Sequence, residues 1–146
     1  MGELDTDGPL VIVVGIDGSD SSMRAAAYAF GLARRQGAKV VYGYIRPLGT
    51  GTPAVGDAMS QVGLDIAADL EKQIRDGAEQ MPQGHQARWE FRVEQGDAFR
   101  GLVQLADRLK ADAVVIGASQ KAGHRVLGSV AVRLVKAGRW PVTVVP

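Results

Sequence analysis

Leu10-Val-Ile-Val-Val14 is an unbroken β-branched run, the pattern of a strand buried on both faces of a sheet. It stops at Gly15-Ile-Asp-Gly-Ser-Asp-Ser-Ser22, a turn that leads into a helix, with Asp20, Ser21 and Ser22 as candidate N-caps. Over residues 23–36 the apolar period lengthens. Met23, Ala26, Ala27, Phe30 and Ala33 share one face, while Arg24, Arg34, Arg35 and Gln36 lie elsewhere. This predicts an amphipathic helix ended by Gly37 as a left-handed C′ residue. Lys39 to Ile45 reads as a second strand, and strand, helix and strand together form a βαβ unit with a right-handed crossover.

Arg46 to Gly56, rich in Gly, Pro and Thr, predicts a loop. A helix is expected over 57–80, where Met59, Val62, Ile66, Leu70 and Ile74 recur every three or four residues. Arg88 to Glu94 alternates polar and apolar residues, which suits an edge strand, and Asp97 stands as the N-cap of a helix lined by Leu102, Leu105, Ala106 and Leu109. Ala113-Val-Val-Ile116 predicts a buried strand ending at Gly117, followed by an irregular stretch as far as Gly128-Ser129. A short helix carrying Val130, Leu134 and Val135 then ends at Gly138, and Pro141 to Pro146 reads as the last strand. Five strands alternating with four helices predict an α/β fold, an open and mostly parallel sheet with helices on both faces.

Composition narrows the function classes. With 46% hydrophobic and 23% charged residues, the 146-residue chain has the make-up of one globular domain. Seventeen Lys and Arg against sixteen Asp and Glu give a net charge of +1, which argues against a dedicated nucleic-acid binder. The one tight basic group, Arg34, Arg35 and Lys39, sits where cations complement a helix C-terminus. Absence of cysteine removes disulfides, thiolate metal sites and Cys nucleophiles. No apolar run approaches membrane-spanning length, and Met1 to Pro9, with three acidic residues, is not a secretory signal, so a cytoplasmic protein is expected.

In open α/β sheets ligands bind beyond the carboxyl ends of the strands. Gly15-Ile-Asp17, Tyr44-Ile45-Arg46 and the segment from Gly117 to Ser129 are expected to converge there. Gly117 permits a close backbone approach, and Gly128-Ser129 opens a helix whose free N–H groups favour an anion such as phosphate. Lys121, His124 and Arg125 add positive charge between them. The plainer alternative makes Gly117 a turn, Ser129 a cap and Asp17 a turn-capping carboxylate. No Walker-type phosphate loop, third dinucleotide glycine or Gly-x-Ser-x-Gly elbow occurs. Neither His85 nor His124 has a partner at metal-ligand spacing. No catalytic residue and no metal ligand is therefore assigned.

Three segments carry a family resemblance. Val13 to Ser22 (Val-Val-Gly-Ile-Asp-Gly-Ser-Asp-Ser-Ser) resembles the opening of the universal stress proteins. Gly117-Ala118-Ser119, Leu127-Gly128-Ser129-Val130 and Trp140 to Pro146 resemble their closing third. The likeness runs from Pro9 onward and implies a domain over 9–146 behind a flexible acidic tail, 1–8. It implies the strand order 3-2-1-4-5 of the adenine-nucleotide α-hydrolase-like fold. It further implies a homodimer through antiparallel pairing of the last strand, 142–145.

The family's nucleotide-binding branch carries Gly-x-x-Gly, nine residues, then Gly-[Ser/Thr]. Carried over, the resemblance implies a nucleotide site at Gly15, Ile16, Asp17, Ile45, Gly117, Ala118, Ser119, Gly128, Ser129 and Val130. It would take ATP or a related adenine nucleotide, with Mg²⁺ only alongside the nucleotide. This chain departs from the motif. Gln120 stands in place of the second glycine, and Gly128 follows Gly117 by eleven positions rather than the family's thirteen. The resemblance implies a non-enzymatic binding or regulatory module of the stress response. The alternatives are a member that has lost nucleotide binding and acts through homodimerisation and protein contacts, and a slow ATP hydrolase.

Overall fold

The computed structural model describes residues 9–49, 51–121 and 124–146, with the main chain alone at 120–121 and 124–126. The expected acidic tail at 1–8, Gly123, and the side chains of Gln120, Lys121, His124 and Arg125 lie outside the described residues.

The first apolar run forms strand β1 (Val11–Gly15), and its turn leads into helix α1 (Asp20–Gln36). The N-cap is Ser19, one residue ahead of the three candidates, because its hydroxyl accepts the Ser22 N–H. Gly37 closes α1 at φ 66°, a left-handed conformation that relieves the helix's last carbonyls, and Arg34 and Arg35 complement its C-terminus. Strand β2 (Lys39–Arg46) follows, and then helix α2 (Pro53–Glu79). Helix α2 begins four residues before the expected 57, since Thr52 caps it with its hydroxyl and Pro53 is preset for the first turn. Strand β3 (Arg88–Gln95), helix α3 (Ala98–Arg108) and strand β4 (Ala113–Gly117) come next. Asp97 caps α3, accepting the Arg100 N–H at 3.0 Å.

The stretch expected to be irregular contains two short strands, β5 (Ser119–Lys121) and β6 (His124–Val126), paired antiparallel with Ser119 facing Val126. Helix α4 (Ser129–Ala137) and strand β7 (Val142–Val145) complete the chain. The main sheet has the order β3-β2-β1-β4-β7, and every neighbouring pair in it is parallel. This is the expected 3-2-1-4-5 arrangement, with the hairpin inserted between the last two sheet strands.

Alternation along the central strands divides the core into two layers. Ile12, Val14, Val40 and Tyr42 pack beneath Ala29 and Phe30 of α1 and Leu70 and Ile74 of α2. Val13, Val41 and Val114 face Leu102 and Leu105 of α3 and Leu134 of α4. Each such fully buried aliphatic side chain contributes about 1.5–3 kcal/mol. The buried Tyr42 hydroxyl donates to the Ala26 carbonyl at 3.1 Å, and burial pushes its ionisation far up. Met59, Val62 and Ile66, three of the residues whose recurrence predicts α2, are 42%, 58% and 40% exposed. The sheet is too short to cover the whole of a 27-residue helix, so only residues from Gly63 onward are buried. No described helix is long and apolar enough to cross a membrane.

Candidate functional site

In this strand order β1 sits between β2 and β4, and the chain winds away in opposite directions on its two sides. The crevice at the carboxyl ends of β1 and β4 is therefore the switch point of the sheet. A cavity of about 520 Å³ opens there, within the range of small-molecule sites. All ten expected residues line it. Gly15, Ile16 and Asp17 come from the β1–α1 turn and Ile45 from β2. Gly117, Ala118 and Ser119 follow β4, and Gly128, Ser129 and Val130 open α4. Arg46, expected to converge with Ile45, does not line it. Its stem packs against Gly63 of α2 and its Nη2 donates to Gln95 at 3.2 Å, leaving Nη1 buried without a partner among the described residues.

The two glycines expected to admit a ligand do something more specific. A Cβ on Gly117 would sit 2.5 Å from the Ser21 carbonyl carbon and 2.6 Å from the Ser22 nitrogen. The close approach that Gly117 permits is thus to the first turn of α1. A Cβ on Gly128 would lie 2.9 Å from the Ser119 Cβ, so the start of β5 abuts the start of α4. Gly128 is the N-cap of α4 in extended conformation, and it makes no side-chain cap bond. The Gly128 carbonyl accepts the Val132 N–H at 3.0 Å, and Ser129, Val130 and Ala131 of the first turn, whose N–H groups have no partner within the helix, line the cavity at the positive end of the helix dipole.

The α1 side is built differently. Ser19 N–H donates to the Asp17 carboxylate at 2.9 Å, and Asp17 N–H donates to the Ser22 hydroxyl at 3.2 Å. The Ser22 hydroxyl in turn donates to the Ser19 carbonyl at 3.0 Å, and the Ser21 hydroxyl donates to the Ala118 carbonyl beyond β4. Partial burial pushes the Asp17 carboxyl up, but bonds from Ser19 and Ser22 outweigh it and hold the group below the ordinary carboxylate value. Asp17 is therefore a standing anion already committed to its own turn.

Ser19, Asp20, Ser21, Ser22, Gly43, Ala98, Leu102, Ile116 and Ala131 also line the cavity, beyond the expected set. The serines were visible as a helix-start signal, and their second role follows only from β4 landing beside α1. Ala98 and Leu102 form the wall supplied by α3, a contact of tertiary packing that no local motif announces. Arg133 links α4 to the start of α3. It reaches Asp97 at 3.4 Å and lies 4.2 Å from the Phe99 ring centre. Among the described residues no group of three carboxylates or imidazoles converges to hold a metal ion.

The comparisons with known proteins agree with this architecture. The model of the universal stress protein family matches residues 10–146. A universal stress protein of Methanocaldococcus jannaschii is 31% identical over 144 residues, covering 92% of this chain and 80% of that protein. Among solved structures, UspA of Lactobacillus plantarum superposes with a TM-score of 0.80 at 23% identity, covering 93% of this chain and 97% of that one. A universal stress protein in complex with cAMP gives a TM-score of 0.69 at 28% identity, covering 95% and 98%. This chain belongs to the universal stress protein family.

Proposed function

We propose that the crevice binds an adenine nucleotide and that the protein acts as a binding or regulatory module rather than an enzyme. The observation that carries the reading is the start of α4, which has no side-chain cap, in a cavity that Asp17 also lines. Phosphate takes the α4 N–H groups and the Ser129 hydroxyl, the ribose hydroxyls face Asp17, and adenine lies against Ile45. The relative solved with cAMP supports the ligand class. Mg²⁺ enters only as the counter-ion of a bound polyphosphate. A carboxylate held below its ordinary pKa and already accepting a hydrogen bond is a weak general base, which favours binding over hydrolysis.

Thermal-shift and calorimetric titrations with ATP, AMP and cyclic AMP, with and without Mg²⁺, test this. Melting temperature should rise with ligand concentration. No shift at millimolar nucleotide would overturn the proposal.

A second role is favoured by the outer edge of β7. Val142-Thr-Val-Val145 pairs only with β4 among the described residues and carries no charge. Such an edge invites a second strand. Antiparallel pairing with a second copy would give a homodimer in the cytoplasm, serving stress-response partners. Thr143→Lys should shift the light-scattering mass toward the monomer; an unchanged mass removes the β7 interface.

A further inference from the structure

We propose that the first half of α2 docks a basic amphipathic helix of another protein, laid along the apolar seam Val55, Met59, Val62 and Ile66. These four residues recur at spacings of four, three and four, the a and d pattern that one helix offers to another. They are between 40% and 58% exposed, so a stripe about 16 Å long stands open to water. Single exposed apolar residues are ordinary, whereas a continuous seam of them marks a contact surface. None of the four lines the crevice, and nucleotide plays no part in the contact.

The fold leaves the seam uncovered for a geometric reason. Gly63 already lies against Arg46, the last residue of β2, with its Cβ position 3.3 Å from the Arg46 Cβ. Leu70, two turns further on, meets the β1–α1 turn, its side chain 3.6 Å from the Cβ position of Gly18. From Gly63 back toward Pro53 the helix therefore runs past the end of the sheet. The seam also stops sharply. The next two positions in its series are Asp69 and Gln73, both exposed, and the Gln73 amide donates to the Asp69 carboxylate at 2.7 Å.

Charge selects the occupant. Residues 53–69 hold three carboxylates, Asp57, Asp65 and Asp69, and no Lys or Arg. Asp65 flanks the seam and Asp69 ends it, and charges beside such a seam set the choice of partner. A second copy would bring the same carboxylates and no cation to pair with them. An anionic lipid surface would be repelled. A helix with Leu along one face and Lys beside it buries the seam and pairs with Asp65 and Asp69.

Fluorescence anisotropy of the full chain with a labelled Leu/Lys peptide of about two heptads, Leu at a and d, tests the proposal against a Leu/Glu peptide of the same pattern. The Leu/Lys peptide should bind at least ten-fold more tightly. Met59→Ser with Val62→Ser should weaken it at least ten-fold and leave the melting temperature unchanged, both side chains being exposed. Asp65→Lys with Asp69→Lys should weaken it similarly, whereas Asp57→Asn, on the far side of the helix, should stay within two-fold. No binding of the Leu/Lys peptide, equal affinity for the Leu/Glu peptide, or indifference to the serine or lysine pair overturns the proposal. A light-scattering mass that falls in the serine variant assigns the seam to a second copy and overturns it as well. So does co-sedimentation of the unaltered chain with phosphatidylglycerol vesicles that the serine variant loses.

Discussion

Two helices begin at the same crevice, and they begin in opposite ways. Helix α1 is closed by its own sequence: Ser19 caps it, Asp17 and Ser22 tie the turn before it, and Ser21 reaches across to Ala118. Helix α4 starts at a glycine that offers no side-chain acceptor. The dipole and the unpaired N–H groups are common to both helices. What differs is the cap: the Ser19 hydroxyl takes the Ser22 N–H of α1, whereas no side chain caps α4. The difference separates a junction that its own side chains close from a helix start with no side-chain cap, where the proposed anion would sit.

The largest expected effect comes from breaking the junction. Gly117→Ala puts a Cβ into the main chain of Ser21 and Ser22, which cannot rotate away. Such overpacking costs about 3 kcal/mol, and at this chain length calorimetry should show melting lowered by roughly 6–12 °C. Next is Ser129→Asp, which supplies α4 with an anion of its own. Folding should be unchanged or slightly firmer, since acidic residues suit a helix N-terminus. Nucleotide affinity by calorimetry should fall about 30-fold, because hydrogen bonds to charged groups are each worth about 1.5–3 kcal/mol. Ser19→Ala removes the α1 cap and should cost about 1 kcal/mol in denaturant titration while leaving the α4 end competent.

The smallest effect is expected at Asp17, through pH. Its pKa is depressed in the folded protein, so its contribution is fully present above the unfolded carboxylate value of about 3.9. That contribution is lost as pH falls through the lower folded value. Asp17→Asn should lower stability slightly in the neutral region and thereby flatten the acid limb of stability against pH; an identical acid limb would show that Asp17 contributes nothing there.

Much of the fold was legible because it is written locally. Continuous β-branched runs announced the buried strands, and Gly37 and Gly138 announced helix ends that the structure places at φ 66° and 63°. The crevice was legible for a topological reason, since strand ends at a switch point gather whatever follows them. Illegible were the contacts set by distance in space. Gly117 signalled close approach without naming its partner, which is α1. The apolar period announced helix α2, yet not how much of it is covered: Met59 and Val62 stay exposed. The hairpin escaped because three-residue strands are too short to establish a period of two.

The position of β1 has a consequence for how the molecule is made. Its first partner, β2, lies close behind it in the chain, whereas its second, β4, is supplied by residues 113–116. During synthesis one side of the first strand therefore stays unpaired until most of the chain has emerged, and α4 follows later still. Pairings of such sequence separation form slowly and expose strand edges while they wait. The crevice draws its lining from Gly15 through Ala131, so its walls come together only after β4 and the start of α4 have been made.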